Sequence, residues 1–194
     1  MQVIKKTNYG IQSVGLDSML LDRRMVFLSE PITTESVSLI VKQLLFLEAT
    51  DTREPIRLII SSPGGEVQAG LYLYDQLKGM EVPVDLYCTE LAASMAAIIL
   101  AGGSRGHRYI LTHSKVMIHE PLIPASSGGL CGSASSLSKS CESILETKRL
   151  LTELLAADTG RSFDEVDQAM SFDHFMNADE AVAFGICDRI VSRI

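Results

Sequence analysis

Two short apolar segments of this chain each run into a turn of small residues that leads directly into a helical pattern. Residues 56–60 are followed by the turn 61–65, Ser-Ser-Pro-Gly-Gly, and then by helical periodicity to about Lys78. Residues 84–88 lead in the same way to a helix that contains Ser94. Because repeated strand–turn–helix units build sheets covered by helices, this pattern predicts an α/β fold. Sites in such folds form at strand-to-helix junctions, so both turns are candidates for function.

Further periodic segments extend this architecture along the whole chain. The additional predicted elements are strands at 25–28, 108–111, 115–118 and 186–191, a helix capped by Thr33 or Thr34 that runs to about Ala49, a long helix at about 135–157, a short helix after Ser162, and a helix that begins with a capping box at Asn177 and ends at Gly185. Neither a linker nor a low-complexity tract divides the chain. We therefore expect a single domain over residues 1–194, with residues 1–15 as a mobile N-terminal segment.

Composition excludes several classes of function. The 17 basic and 24 acidic side chains give a net charge of −7, which argues against nucleic acid or an anionic membrane as the main partner. The N-terminus lacks the apolar segment of a signal peptide, and the longest apolar run, residues 91–101, is too short to span a bilayer. We therefore expect a cytoplasmic location.

The cysteines lack the spacing of a metal or redox motif. They are Cys88, Cys131, Cys141 and Cys187, and no pair has two residues between its members. Cys88 and Cys187 lie in apolar segments and are expected to be buried, whereas Cys131 lies in a stretch rich in Gly and Ser and is expected to be exposed. We interpret all four as reduced thiols, and the histidines do not form a ligand cluster by spacing.

Three separate segments hold the parts of a serine hydrolase. Ser94 lies in an apolar run of small residues, His119 ends a second apolar segment, and Gly65 belongs to the Gly-Gly turn. A serine hydroxyl is a poor nucleophile unless an imidazole removes its proton, and a glycine turn presents N–H groups that no side chain shields. Each feature also has a structural explanation, as a packed helix residue, a core histidine and a plain turn. Their joint occurrence favours the chemical interpretation.

With these residues in place, the chain resembles ClpP, the family of proteolytic subunits of the Clp protease, over about residues 14–192. The resemblance is carried by the segments 46–49, 62–65, 92–95, 116–121 and 173–181. Ser94 and His119 are separated by 119 − 94 = 25 residues, as the family requires. The resemblance implies the ClpP/crotonase-like fold, in which repeated ββα units carry a protruding handle helix, here within about 121–157.

The resemblance also implies a full set of site residues. Ser94 would be the nucleophile, His119 the base, and Asp173 the acid that holds the imidazole tautomer and stabilises the imidazolium. The backbone N–H groups of Gly65 and Met95 would form the oxyanion hole. No metal or organic cofactor is implied for this chain. Spacing by itself does not distinguish Asp173 from the other nearby aspartates, which are Asp158, Asp164, Asp167 and Asp179.

The partners implied by the resemblance are other copies of the chain and an ATPase. Two heptameric rings would stack through the handles into a tetradecamer that encloses a chamber for unfolded polypeptides. An AAA+ unfoldase of the ClpX, ClpA or ClpC type would use ATP to supply them. The Gly- and Ser-rich segment before the handle would pair with peptide substrate by β-augmentation.

Several positions depart from the family pattern. Phe172 stands where an arginine commonly bridges the rings, and the segment between His119 and the long helix is longer than usual. Arg57, Ile59 and Gly79 stand where aromatic side chains commonly line the unfoldase docking pocket. The leading hypothesis is a serine endopeptidase. The alternatives are a mostly structural or partner-dependent subunit of a mixed ClpP assembly and, from another enzyme class, a crotonase-like acyl-CoA enzyme.

Overall fold

The computed structural model of this protein describes residues 1–7, 10–122 and 133–194, which form a mixed α/β fold. The strands are β1 (Gln2–Thr7), β2 (Gly10–Gly15), β3 (Met25–Leu28), β4 (Ile56–Ser62), β5 (Val84–Ala93), β6 (Arg108–Leu111), β7 (Lys115–Ile118), β8 (His174–Met176) and β9 (Arg189–Val191). The helices are α1 (Leu16–Asp22), α2 (Thr34–Thr50), α3 (Val67–Gly79), α4 (Met95–Ala101), α5 (Ala134–Thr159), α6 (Phe163–Met170) and α7 (Ala178–Phe184). The predicted α/β class is confirmed.

A largely parallel sheet of seven strands organises the fold. Strands β3, β4, β5, β6 and β9 lie side by side in that order, and every neighbouring pair is parallel. Strand β5 pairs with β6 along its first half and with β7 along its second half. Strand β8 adds to β7 in the antiparallel direction. The carboxyl ends of β4 and β5 therefore lie next to each other, which brings the two turns singled out in the sequence together.

The apolar run at residues 91–101 is divided between a strand and a helix. Strand β5 continues to Ala93, five residues beyond the predicted end, because its second half finds a partner in β7. Helix α4 begins at Met95, so Ser94 is the single residue between the two elements. The final strand is shorter than predicted, and the β1–β2 hairpin, α1 and β8 were not predicted. These elements are short, and the sequence pattern within them is correspondingly weak.

The core is built from branched aliphatic side chains of the sheet and of the helices packed on it. The large side chains that are less than 2% exposed include Leu28, Leu44, Ile56, Leu58, Ile60, Leu73, Leu86, Ile99, Leu100 and Ile110. Full burial of one such side chain contributes about 2 kcal/mol. Cys88 and Cys187 are buried and carry free thiols, as predicted, and Cys141 is also free. Cys131 lies outside the described residues.

Helix α5 is the long helix predicted at about 135–157, which the resemblance assigns to the handle. It spans 26 residues, which corresponds to about 39 Å. Its buried residues are Leu151, Thr152 and Leu155, all in the C-terminal half, so the N-terminal half projects away from the core. Ser133 caps its start, and Gly160 ends it in the left-handed conformation with φ of 78°.

Two expectations from the sequence are not tested by this fold. Residues 2–7 and 10–15 pair as an antiparallel hairpin, but the mobility expected of the N-terminal segment stays a prediction. The predicted substrate-pairing segment before the handle falls largely on residues 123–132, outside the described part of the chain. Among the described residues, no helix combines the length and apolar character needed to cross a membrane.

Candidate functional site

Ser94 occupies a strained position at the junction of β5 and α4. Its φ of 55° and ψ of −123° are unusual for a residue with a side chain, and among the described non-glycine residues only Arg24 shares a positive φ. Such a conformation costs about 1–3 kcal/mol and persists only when neighbouring structure enforces it. Here the Ser94 N–H donates to the Met117 carbonyl at 2.8 Å, which fixes the junction against β7. The hydroxyl does not cap α4, so it remains available for another role.

The Gly64–Gly65 turn approaches Ser94 so closely that a side chain would not fit. A Cβ atom on Gly64, whose φ is 90°, would lie 2.6 Å from the Ala93 carbonyl oxygen and 2.8 Å from the Ser94 Cβ. A Cβ atom on Gly65 would overlap the backbone of Ile32. Ile32 holds the turn by donating to the Gly64 carbonyl and accepting from the Glu66 N–H, both at 2.8 Å. Glycine is required at both positions because backbone packs directly on backbone.

His119 follows β7 and lines the same cavity as Ser94. The backbone next to His119 is anchored to the end of α6, because the Glu120 N–H donates to the Met170 carbonyl at 2.7 Å. The Nδ1 atom of His119 is buried and has no hydrogen-bond partner among the described residues. A buried imidazole nitrogen without a partner is costly, so this atom marks a place where a hydrogen-bonding group is missing in this conformation.

Strand pairing places Asp173 opposite His119. Strands β7 and β8 are antiparallel with Ile118 opposite His174, so one further step along each chain sets His119 across from Asp173. Facing residues of an antiparallel pair have Cβ atoms about 4.5–5.5 Å apart. The Asp173 side chain is nevertheless exposed and does not line the cavity, and the hydrogen bond to Nδ1 is not formed in this conformation.

The other aspartates considered from the sequence occupy different sites. Asp158 accepts hydrogen bonds from Tyr74 and Lys78, and Asp167 pairs with Lys148. Asp164 and Asp179 lie in the first turns of α6 and α7. Of the five, Asp173 is the aspartate that the sheet register aligns with His119.

A cavity of about 900 Å³ joins these elements. Ser94, His119, Gly65 and Met95 all line it, so four of the five residues implied by the resemblance lie together. The rest of the wall is mainly apolar, and α5 supplies part of it. The α5 residues on the wall are Ile144, Thr147 and Leu151. The handle thus closes one side of the cavity that contains Ser94.

An ion-pair cluster that the sequence did not suggest connects α5 to Glu120, the residue after His119. The Lys148 ammonium lies 3.1 Å from Glu120 Oε2 and 3.0 Å from Asp167 Oδ1. Its hydrogen bonds to Asp167 and Glu120 stabilise the charged form and raise the pKa of Lys148. The cluster joins α5, α6 and the residue after His119. Because the three residues are far apart in the chain, no local pattern could have revealed it.

Metal-ligating side chains do not gather at this cavity. Across residues 1–7, 10–122 and 133–194 there is no group of three or more His, Cys, Asp or Glu side chains that could hold an ion. The cavity offers instead a serine, an imidazole and the backbone of a glycine turn. This set of groups is suited to acyl transfer.

The family model of the Clp protease matches residues 8–193. The match covers nearly the whole chain, and the chain therefore belongs to the Clp protease family. The parallel sheet with its helices is consistent with the ClpP/crotonase fold of that family. The family resemblance found in the sequence is confirmed.

Proposed function

We propose that this protein is a serine endopeptidase that cleaves unfolded polypeptides by way of an acyl-enzyme. The observation that carries the proposal is the geometry at Ser94. A strained residue at the start of a helix has a hydroxyl that caps nothing and shares a cavity with His119. A structural serine in this place would gain nothing from the strain, whereas a nucleophile gains a fixed and accessible hydroxyl.

The reaction uses the groups of the cavity in turn. His119 accepts the proton of the Ser94 hydroxyl as Oγ attacks the peptide carbonyl carbon, and negative charge passes to the carbonyl oxygen. The N–H groups of Gly65 and Met95 stabilise that oxyanion. As the C–N bond breaks, His119 gives its proton to the leaving amine. Water then attacks the Ser94 ester, again with His119 as base, and releases the new carboxyl terminus.

Asp173 completes this mechanism as the partner of His119. A carboxylate on Nδ1 would select the tautomer that leaves Nε2 free to accept the serine proton, and it would stabilise the imidazolium. The sheet register supports this role, as does Nδ1, which has no hydrogen-bond partner among the described residues. The side chain has to turn from solvent toward His119. Peptide hydrolysis by this route needs no metal or organic cofactor.

The assembly that we propose is the stacked double ring of the family, fed by an AAA+ unfoldase that consumes ATP. Two large apolar side chains that the described residues leave uncovered support it: Leu145 on α5 is 64% exposed, and Phe172 after α6 is 86% exposed. A neighbouring subunit that packed on them would remove this apolar area from water. The cytoplasmic location rests on the sequence alone.

The direct test is labelling with a fluorophosphonate, which reacts with an activated serine. We expect stoichiometric labelling of Ser94 and turnover of an unstructured peptide, and both should vanish in Ser94→Ala. The small residues around Ser94 should accept alanine, so the assembly should remain intact in light scattering. Near-normal turnover by Ser94→Ala would rule out the mechanism.

A second candidate function is a subunit that becomes active only with a ClpP paralogue. The exposure of Asp173 favours it, together with His119 Nδ1, which has no hydrogen-bond partner among the described residues, because the triad is incomplete in this conformation. Phe172 cannot form the charge-assisted bond between rings that an arginine forms. A paralogue that binds the handle could supply the contacts that draw Asp173 inward.

The proposed unfoldase docking face has an altered composition. Ile59 is buried, and a Cβ atom on Gly79 would meet open space. Aromatic side chains remain on the neighbouring strands, since Phe27, Tyr87 and Tyr109 lie at the register level of Ile59, and the two tyrosine rings stack with centroids 4.8 Å apart. Arg57 lies two residues before Ile59 on β4, between Met25 and Asp85 of the neighbouring strands, and an apolar loop would bury its charge at a cost.

Protein degradation with a ClpX-type unfoldase and ATP distinguishes the two candidates. If the chain is a partner-dependent subunit, we expect weak degradation by this chain alone and strong degradation with a co-expressed paralogue. The paralogue has its own catalytic serine and could degrade the substrate by itself. The mixed assembly of paralogue and wild-type chain is therefore compared with a mixed assembly of paralogue and Ser94→Ala. Efficient degradation by the homomer would show that no partner subunit is required.

A further inference from the structure

Glu66 places an acidic group directly beside the proposed oxyanion hole. It follows Gly65 in the chain, precedes the first residue of α3 and lines the cavity that contains Ser94. Its Oε2 atom accepts hydrogen bonds from the backbone N–H and the hydroxyl of Thr34, each at 3.2 Å. These two bonds restrict the rotation of an otherwise exposed carboxylate. The charge therefore has a defined position at the cavity edge.

Among the described residues that line the cavity, Glu66 is the only acidic one, and none is lysine or arginine. The nearby Lys148 does not offset this charge, because it is already paired with Glu120 and Asp167. Residues 123–132, which lie outside the described part, contain no charged side chain in the sequence. Glu66 is thus the one formal charge carried by the described residues of the cavity wall.

We propose that Glu66 is a specificity-determining residue that favours a lysine or arginine side chain in the substrate close to the cleaved bond. The inference rests on the proposed peptidase function. Consecutive Cα atoms are about 3.8 Å apart, and an extended peptide advances about 3.3 Å per residue. Glu66 is one residue from Gly65, whose N–H would hold the carbonyl oxygen of the cleaved bond, so we expect its carboxylate to lie within reach of the two substrate residues that flank that bond. The apolar residues of the cavity wall would contact the uncharged side chains of the neighbouring substrate residues.

The experiment compares peptides that differ by one charge. The parent substrate is a neutral, apolar quenched-fluorescence peptide. Each test peptide carries one substitution, to Lys, Gln or Glu, at one of the two positions that flank the cleaved bond. At one of these positions we expect kcat/KM to be about threefold higher for Lys than for Gln, and about tenfold higher for Lys than for Glu. Because the site is open to water, higher salt should reduce both ratios.

Variants of Glu66 identify the source of this preference. Glu66→Gln keeps an oxygen that accepts from Thr34 but loses the charge, so the Lys-to-Glu ratio should fall to about one. Glu66→Lys should invert it. The matched control is Glu54→Gln, which removes the same charge from an exposed residue that does not line the cavity and should leave the ratio unchanged. A ratio that survives Glu66→Gln, or that Glu54→Gln reduces equally, would overturn the inference.

A binding measurement separates this inference from the proposed function. The same fluorescent peptides are titrated against the Ser94→Ala protein, where binding is read by anisotropy without turnover. Tighter binding of the Lys peptide, abolished by adding Glu66→Gln, supports the role of Glu66 even if the wild-type protein cleaves nothing. Equal binding of the Lys and Glu peptides refutes that role whatever the cleavage activity.

Discussion

The backbone approach between the glycine turn and the Ser94 junction involves Gly64. Its position against the Ala93 carbonyl and Ser94 lets the β4–α3 turn pack on the β5–α4 junction. A side chain at this point would push the turn and the strained serine apart. The sequence identified the Gly-Gly turn as a source of N–H groups, but not this packing role.

Gly64→Ala should therefore impair stability and activity together. The positive φ and the overlap with backbone predict a loss of about 2 kcal/mol or more in unfolding free energy, and slower fluorophosphonate labelling of Ser94. Urea unfolding and labelling kinetics measure the two effects. The matched control is Gly79→Ala, where a Cβ atom meets nothing within 4 Å, and it should be neutral or stabilising by up to about 1 kcal/mol. Equal behaviour of the two variants would contradict the packing argument.

Asp173→Asn tests the acid of the triad. Its side chain is exposed, so the fold should tolerate the amide, yet turnover should fall on the order of 10⁴-fold because an amide loses the charge that stabilises the imidazolium. Steady-state peptide cleavage measures the change, and thermal unfolding checks the fold. Asp179→Asn serves as a matched control in the first turn of α7. Little loss in Asp173→Asn, with a large loss in Asp179→Asn or Asp167→Asn, would move the role to that residue.

At the scale of elements, an ion pair with a buried arginine and a partly buried aspartate joins β6 to the chain just before β9. Arg108, which is 3% exposed, contacts Asp188 at 2.6 Å and also donates to the carbonyls of Ala101 and Asp158. It thereby links the ends of α4 and α5 to the sheet. Burial tends to raise the pKa of Asp188, but the hydrogen bonds and charge of Arg108, with the Gly106 N–H, hold it below its usual value.

This pair predicts a defined dependence of stability on pH. Because the pKa of Asp188 is lower in the folded state, its contribution is present above the unfolded value near 4 and is lost as pH falls through the folded value. Asp188→Asn should cost about 3 kcal/mol at pH 7, since it leaves Arg108 buried without its partner. Its deficit relative to wild type should shrink toward pH 3 in urea unfolding, whereas the exposed Asp164→Asn should show little deficit at either pH. A deficit independent of pH would show that charge pairing is not the cause.

At the scale of the whole molecule, the handle both closes the cavity and projects apolar side chains outward. Thr147 lines the cavity, while Leu145 and Leu150 of the same helix are exposed. A partner that covers the exposed face of α5, with Leu145 and Leu150, would also restrain the face of the helix that lines the cavity. Assembly and cavity geometry are therefore expected to be coupled through a single helix.

We expect the chain to form rings in solution. Light scattering at micromolar concentration should give a mass of many subunits, and Leu145→Glu should lower it because a charge replaces exposed apolar surface on the handle. Glu146→Gln, at the adjacent exposed position, should leave the mass unchanged. A stable wild-type monomer would remove the proposal of a chamber.

The sequence by itself determined the features that depend on neighbouring residues. The strand–turn–helix units, the caps at Thr33, Ser162 and Asn177 and the long handle helix were all predictable, because capping bonds and periodicity act over a few positions. Family motifs added the candidate residues of the site. The family membership that these motifs indicated is now established for nearly the whole chain.

The tertiary structure alone decided how those residues meet. It aligned Asp173 with His119, one step beyond the register of a three-residue strand. Among the described residues it left Nδ1 without a partner, placed α5 on the cavity wall and made Glu66 the acidic side chain of that wall. Each of these depends on contacts between segments that are distant in the chain. Local propensity carries no information about such contacts, since they form only when the sheet register and helix packing are complete.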